Sequence, residues 1–173
     1  MAETPNVMPS LHMPLQSGSS RLLKEMRRSY RQAKFLDIIT KVRAAIPDAA
    51  ITTDIIAGYC SETLEDHQQT LSLMEEVKYD YAFMFQYSMR PNTYAARHFT
   101  DDVPPEEKTR RLNEIIELQN RHSLESNRKD VGKVFEVLIE GTSKKNKDEL
   151  FGRTPGNKVC VFPACGHKAG DYV

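Results

Sequence analysis

The pattern of apolar and polar positions predicts alternating strands and helices in the first part of the chain. Residues 11–15, 49–57 and 79–87 are short runs rich in apolar, β-branched or aromatic side chains, as is typical of buried strands. The first stretch between them places apolar residues at i, i+3, i+4 and i+7 from Phe35. In the second, Leu64, Leu71, Met74 and Val77 indicate another helix, for which Thr63 is a candidate N-cap. This order favours an α/β protein with parallel strands covered by helices.

A long helix is predicted next, because Pro104 and Pro105 stand where a helix can begin and apolar residues follow at helical spacing up to Leu124. The helix has about six turns at 3.6 residues per turn. We expect it to bridge two units of the chain.

From Lys133 onward the pattern changes to short β segments. Apolar residues alternate up to Gly141, and two further segments at 150–153 and 158–162 flank a Pro-Gly turn. Short strands with glycine-containing turns are typical of a small antiparallel β-barrel. We expect this barrel to be truncated, because the chain ends just as another strand begins at 170–173.

Three parallel strands do not close a barrel, so the first part of the chain is expected to be a fragment of a partial (β/α) barrel. The pattern therefore predicts three parts. They are the barrel fragment at residues 1–100, the bridging helix at 101–128 and the small antiparallel β domain at 129–173.

Composition narrows the class of protein further. The 173 residues include 39% hydrophobic and 28% charged residues, and the first ten lack the basic and apolar segments of a signal peptide. No apolar run approaches the roughly 18–20 residues of a membrane helix. We expect a cytoplasmic protein without a membrane partner. The net charge of zero argues against binding nucleic acid by bulk electrostatics but leaves a local basic patch open.

The cysteines do not predict a metal site. Cys60, Cys160 and Cys165 form no CxxC pair, and they form no Cys/His cluster at zinc spacing. All three are therefore interpreted as reduced thiols.

Candidate chemistry lies in the polar turns that follow the three strands. In parallel α/β folds the active site lies at the carboxyl ends of the strands, and the turns 16–19, 58–62 and 88–93 occupy that position. Asp54, within the second strand, can reach the same pocket or a partner inside the barrel. An alternative is purely structural, since glycine and serine are common at such turns whatever the function.

The β domain carries a second signal, a lysine-rich loop beside an aromatic residue. Basic side chains and an aromatic residue on a small β-barrel are typical of single-stranded RNA binding. Residues 129–173 carry eight basic and six acidic side chains, so a solvated loop is the alternative. The RNA-binding candidates are Lys144, Lys145, Lys147, Phe151, Arg153 and Lys158.

Four segments, in order along the chain, resemble the radical-SAM methylthiotransferases. They are LHMPLQSGSSRLLKEMRRSY, TTDIIAGYCSET, YSMRPNTYAA and EVLIEGTSKKNKDELFGRTPGNKVCVF. The last resembles the TRAM domain of the MiaB-type branch, which modifies tRNA. The sequence departs from the family pattern in the turns, with Cys60 in place of a common proline and Ser61 and Asn92 in place of glycines.

The resemblance implies a parent enzyme that uses S-adenosylmethionine and two 4Fe–4S clusters to place a methylthio group on C2 of an isopentenylated adenosine. The implied partner is the anticodon stem-loop of tRNA, and DNA is not expected to bind. The family's CxxxCxxC motif is absent here, so we expect this chain alone to bind no cluster and to be inactive. The residues that the resemblance places toward S-adenosylmethionine are Gln16, Ser17, Gly18, Asp54, Gly58, Glu62 and Arg90.

Two alternative functions remain open at this point. One is a sister methylthiotransferase that acts on threonylcarbamoyladenosine or on a ribosomal protein. The other is a non-catalytic RNA-binding protein built around the β domain. The sequence does not indicate the oligomeric state.

Overall fold

The structure is a computed structural model that describes residues 2–4 and 6–173. It consists of a parallel sheet with helices followed by an antiparallel sheet, which confirms the predicted fold class. In chain order the elements are β1 (Ser10–His12), α1 (Ser20–Glu25), α2 (Gln32–Ala45), β2 (Ala50–Ala57), α3 (Leu64–Val77), β3 (Tyr81–Gln86), α4 (Tyr94–His98), α5 (Pro105–Arg128), β4 (Leu138–Thr142), β5 (Glu149–Arg153) and β6 (Val159–Pro163).

The first sheet has the strand order β1-β2-β3, and both pairs are parallel. Its two faces differ because side chains alternate along each strand. On β2, Ile51, Thr53 and Ile55 are buried under the helices, whereas Thr52 and Asp54 are half-buried on the other face. The core on the covered face includes Leu15, Phe35, Ile39, Ile51, Ile55, Leu73, Met74, Val77, Tyr79 and Ile115.

Helix α3 begins as the sequence predicted. The Thr63 hydroxyl accepts from the Asp66 backbone N–H, and the Asp66 carboxylate accepts from the Thr63 backbone N–H, which completes a capping box. Close packing fixes the turn before α1 against this helix. A Cβ atom on Gly18 would lie 2.5 Å from the Gln69 carbonyl oxygen and 2.5 Å from Thr70 Cα. Only glycine fits there.

Helix α5 begins at Pro105, as predicted, and packs along the parallel sheet. The Gln119 side chain donates to the Tyr79 carbonyl at 2.9 Å, and the Ser123 hydroxyl donates to the Asp80 carbonyl at 2.8 Å. The helix therefore covers the first sheet before it leads to the second. The short helix α4 was not predicted.

The second sheet is antiparallel, with the order β4-β5-β6, and in the described residues its three strands do not close a barrel. The predicted start of β4 at Lys133 is wrong, because the strand begins at Leu138. Backbone pairing begins only at Val137, whose N–H donates to the Val173 carbonyl at 2.7 Å. Val134 is 98% exposed. Alternation without a pairing partner did not produce a strand.

The end of α5 is joined to the second sheet through Lys158, the residue before β6. Its Nζ donates to Ser126 Oγ at 2.9 Å, to the Ser126 carbonyl at 3.1 Å and to Asp130 Oδ2 at 2.5 Å. The Ser126 hydroxyl in turn donates to the Asp80 carboxylate, which also accepts from the Ile51 backbone N–H. These contacts, here called the Lys158 junction, connect β6, α5 and the parallel sheet.

Candidate functional site

A cleft of about 600 Å³ lies at the carboxyl ends of the parallel strands. Three of the seven candidate cofactor residues, Gln16, Asp54 and Arg90, line it together. The rule that ligands bind beyond the carboxyl ends of parallel strands thus leads to a real cavity. Its volume is in the range of pockets that hold small-molecule ligands, about 300–1,000 Å³.

Gln16 reaches the cleft because the backbone continues to pair after β1. Its N–H donates to the Asp54 carbonyl at 2.8 Å, and its carbonyl accepts from the Ile56 N–H at 2.9 Å. Its φ is 72°, in the left-handed region that is uncommon for residues other than glycine. Both the N–H and the carbonyl of Gln16 are bonded to β2, so the position of this strained residue is fixed.

Asp54 lies on the uncovered face of the sheet. Its Oδ2 is 3.4 Å from His12 Nε2, and the other ring nitrogen of His12 lies 2.9 Å from Thr52 Oγ1. The histidine ring also packs edge-on against Phe83, with 5.9 Å between the ring centroids. The structure therefore places His12 and Asp54 together, where their side chains can contact a polar ligand.

Gly58 and Glu62 do not line the cleft. Gly58 has φ +74°, and its N–H donates to Glu62 Oε2 at 2.7 Å. Arg111 from α5 donates to the same carboxylate oxygen at 2.9 Å, and both charged side chains are more than 90% buried. Burial raises the pKa of Glu62, while the hydrogen bonds from Arg111 and Gly58 act in the opposite direction. The geometry gives these residues a role in fixing the turn against α5.

Ser17 and Gly18 are also turned away from the cleft lining. The Gly18 N–H donates to Thr70 Oγ1 at 2.9 Å, and the buried Ser17 hydroxyl accepts from the Ser19 N–H at 3.1 Å. Both residues attach the first turn to α3.

Asp66 connects the turns around the cleft, and its role was not predicted beyond helix capping. Its carboxylate accepts from Ser19 Oγ at 2.5 Å, from Thr63 Oγ1 at 2.7 Å and from the Arg21 guanidinium. Burial alone would raise its pKa, but the hydrogen bonds from Arg21, Ser19 and Thr63 outweigh burial and hold the pKa well below the usual range.

Arg27 and Tyr94 are the second part of the site that the sequence did not reveal. Both line the cleft, and the Arg27 guanidinium lies 4.2 Å from the centroid of the Tyr94 ring. Arg27 follows α1 with φ 58°, which turns its side chain away from the helical path. Tyr59 forms another part of the wall. Burial raises the pKa of Tyr59 to about 12, so its phenol stays protonated well above neutral pH.

The RNA-binding candidates on the second sheet fall into two groups. Lys144, Lys145 and Lys147 are exposed in the loop between β4 and β5. Arg153 is instead paired with Glu140 at 2.9 Å, and Lys158 is engaged in the Lys158 junction. Phe151 is half-buried on β5. The lysine loop is thus the part of the candidate RNA surface that is free of ion pairs within the described residues.

Neither a metal cluster nor a membrane span is visible in the part of the chain that the structure describes. Across residues 2–4 and 6–173, no three His, Cys, Asp or Glu side chains are grouped so that they could hold a metal ion. Cys60 is buried, Cys165 is exposed and Cys160 is intermediate. No helix in the same residues is both long and apolar enough to cross a membrane.

Comparison with known proteins identifies relatives of the whole chain. Residues 128–173 match the model of the TRAM domain. The whole chain is 59% identical to the tRNA-2-methylthio-N(6)-dimethylallyladenosine synthase of Phocaeicola vulgatus, covering 38% of that protein. The proteins of the same name are 56% identical in Bacteroides thetaiotaomicron and 55% identical in Porphyromonas gingivalis W83, with 38% and 37% of their lengths covered.

The chain therefore spans less than two-fifths of the length of these curated relatives, but it matches them from residue 1 to residue 173. The resemblance seen in the motifs is confirmed: the whole chain matches the carboxy-terminal portion of these synthases, and residues 128–173 correspond to a TRAM domain.

Proposed function

We propose that this chain is part of an enzyme that adds a methylthio group to C2 of isopentenyladenosine beside the tRNA anticodon. The observation that carries the proposal is the whole-chain match to relatives named for this reaction. A cleft at the strand ends and an exposed lysine loop on the TRAM domain support it. We also propose the tRNA anticodon stem-loop as the partner, and hence the cytoplasm as the compartment.

The cleft fits a ligand of the size of S-adenosylmethionine. Gln16, Asp54 and Arg90 would hold such a ligand, since together they offer an amide, a carboxylate and a guanidinium to its polar groups. When bound, S-adenosylmethionine supplies the radical chemistry and the methyl group of the family's reaction. The residues of this chain bind and orient it within the cleft.

The two 4Fe–4S clusters of the family do not fit the cysteines of this chain. Cluster binding takes several thiolates that converge on one site, and Cys60, Cys160 and Cys165 differ in exposure and do not form such a group. We assign no step through a cluster to these residues. We propose that the chain alone is inactive and that the remainder of the parent protein carries the cluster ligands.

Disrupting the gene that encodes this chain tests the proposed reaction. We expect nucleoside analysis of the cell's tRNA by liquid chromatography and mass spectrometry to show loss of 2-methylthio-isopentenyladenosine and accumulation of isopentenyladenosine. Restoring the intact gene is the control. If the isopentenyladenosine derivative is unchanged and a methylthiolated threonylcarbamoyladenosine or ribosomal protein disappears instead, the reaction belongs to the sister branch.

The lysine loop tests the proposed RNA partner. Replacing Lys144, Lys145 and Lys147 together by glutamine is expected to weaken binding of an anticodon stem-loop RNA. The slope of log affinity against log salt concentration should decrease in magnitude by about 2, because each of the three lost phosphate contacts to a single strand contributes about 0.7. Fluorescence anisotropy of a labelled RNA over a salt series measures both quantities.

The matched control removes the same charge elsewhere. Lys34, Lys41 and Lys78 are exposed, and each pairs with a carboxylate on α2 or α5. These residues belong to the parallel sheet and its helices, residues 6–128, here called the sheet domain. Their triple glutamine variant is expected to retain the wild-type salt slope. If both triple variants behave alike, the lysine loop is a solvated surface and the RNA contact lies elsewhere.

A further inference from the structure

Three arginines at the mouth of the cleft have no acidic partner in residues 2–4 and 6–173. Arg27, Arg28 and Arg90 all line the cleft and are exposed, and none forms an ion pair there. Arg21, which precedes them on α1, is by contrast paired with Glu25 and Asp66. Unpaired guanidinium groups that converge on a cavity favour an anionic ligand.

Tyr94 holds one of these guanidinium groups in place. The Arg27 guanidinium lies 4.2 Å from the Tyr94 ring centroid, a cation–π geometry. The His98 ring packs on Tyr94 as well, with 4.1 Å between the ring centroids, and α4 supplies both aromatic residues. The stack reduces the freedom of the Arg27 side chain, so less entropy is lost when it binds an anion.

The acidic residues of the cleft do not cancel this charge. The Glu25 carboxylate accepts from Arg21 at 2.8 Å and from the Ser61 hydroxyl at 3.0 Å, so its charge is already compensated. Asp54 lies beside His12 on the face of the sheet. Of the two carboxylates in the cleft, neither forms an ion pair with any of the three arginines in the described residues.

We propose that Arg27, Arg28 and Arg90 bind a backbone phosphate of an RNA strand at the mouth of the cleft, with Tyr94 as the positioning residue for Arg27. The inference rests on the proposed function and adds a second RNA contact, on the sheet domain instead of the TRAM domain. Guanidinium groups match the oxygens of a phosphate through paired hydrogen bonds. Three exposed arginines supply more charge than one small carboxylate needs.

Two ligands could supply the anionic group that binds the three arginines: an RNA, through a phosphate, or S-adenosylmethionine, through its carboxylate. The experiment distinguishes between them. Arg27→Gln and Arg90→Gln are measured for binding of a labelled anticodon stem-loop RNA by anisotropy over a salt series, and for binding of S-adenosylmethionine by calorimetry. We expect each variant to weaken RNA binding by about three- to tenfold and to reduce the salt slope by about 1. Binding of S-adenosylmethionine should be unchanged in Arg27→Gln, whereas Arg90→Gln should weaken it as well, because Arg90 is also proposed to hold that ligand.

Controls address charge and position. Lys41→Gln removes one exposed charge from α2, which contributes no residue to the cleft, and should keep the wild-type affinity and slope. Tyr94→Leu should weaken RNA binding, and Tyr94→Phe should restore it because the phenyl ring retains the stack on Arg27. Thermal unfolding by circular dichroism confirms that each variant is folded.

Several outcomes would overturn the inference. They are an unchanged salt slope in both arginine variants, a loss confined to S-adenosylmethionine, or no RNA binding by the wild-type chain at low salt. An unchanged slope leaves the proposed function intact, since that function is tested by the nucleoside content of cellular tRNA. The arginine substitutions can also be added to the triple lysine-to-glutamine variant. A further decrease of the salt slope in that protein would support two separate RNA contacts.

Discussion

Replacing Arg111 by methionine is expected to lower the free energy of unfolding by about 3–5 kcal/mol, the usual cost of leaving one partner of a buried ion pair alone. Arg111 is 6% exposed and donates to both the carboxylate and the backbone carbonyl of Glu62. Without Arg111, the Glu62 charge stays buried, and among the described residues only the Gly58 N–H remains as a close donor. Urea denaturation followed by circular dichroism measures the loss.

The neighbouring residue provides the control. Arg110 is exposed and pairs with Glu107 and Glu114 on the same helix, so Arg110→Met should leave the unfolding midpoint nearly unchanged. In the double variant Glu62→Gln with Arg111→Met the buried charge is gone as well, and part of the lost stability should return. A loss below about 1 kcal/mol in Arg111→Met would mean that the pair is solvated and does not hold the turn.

Replacing Asp66 by asparagine is expected to cost about 2–4 kcal/mol at neutral pH, because a helix cap and charge-assisted hydrogen bonds are lost together. The Asp66 carboxylate accepts from Ser19, Arg21 and Thr63. In asparagine the NH2 group replaces one of the two accepting oxygens, so a donor then faces the donors of the neighbouring side chains. The change should loosen the first turn, the start of α3 and the contact between them. Thermal and urea unfolding measure the effect.

The same substitution has a defined pH dependence. The pKa of Asp66 is held below its ordinary value of 3.8, so its charge stabilises the native state above that pH. This stabilisation is lost as the pH falls below about 4 toward the lowered pKa. The wild type should therefore lose stability between pH 5 and pH 2 more steeply than Asp66→Asn, and the gap between them should narrow.

Asp37 is the matched control for this effect. Its side chain is partly exposed on α2 and pairs only with Lys34 and Lys41 among the described residues. Asp37→Asn should leave the stability at neutral pH and the shape of the pH curve close to those of the wild type. Parallel curves for wild type and Asp66→Asn would contradict the assignment of acid sensitivity to Asp66.

Local patterns in the sequence predicted the elements whose formation depends on nearby residues. Helix α3 begins after the predicted cap at Thr63, because the capping box lies within four residues of the chain. The alternating stretch after Lys133 failed as a strand because its partner, the backbone near Val173, pairs only from Val137 onward. Periodicity carries no information about where a distant partner begins.

In the candidate site as well, the local positions at the strand ends were predicted correctly, whereas contacts with distant residues were not. Gln16, Asp54 and Arg90 were found by their place at strand ends, and they do meet at one cleft. Ser17 and Glu62 are instead engaged with Thr70 and Arg111, which lie 53 and 49 residues further along the chain. The roles proposed for all seven residues toward S-adenosylmethionine stay predictions.

Arg27 was missed for a related reason. Its position depends on a left-handed backbone conformation and on stacking with Tyr94, a residue on a helix that the sequence did not predict. In the sequence, the only signal was the adjacent pair Arg27-Arg28 just after an amphipathic helix. Such a pair is as common on solvated surfaces as in binding sites, so the pattern did not distinguish them.

The Lys158 junction restricts which amino-acid substitutions this sequence can accept during evolution. Lys158, Ser126 and Asp130 come from two elements and satisfy one another's polar atoms. Without the lysine, Asp130 keeps only the longer pair with Lys133 at 3.3 Å within the described residues, and without the carboxylate Lys158 loses its ion pair, so each single substitution is disfavoured. We therefore expect substitutions at one of the three positions to be found together with compensating changes at the others.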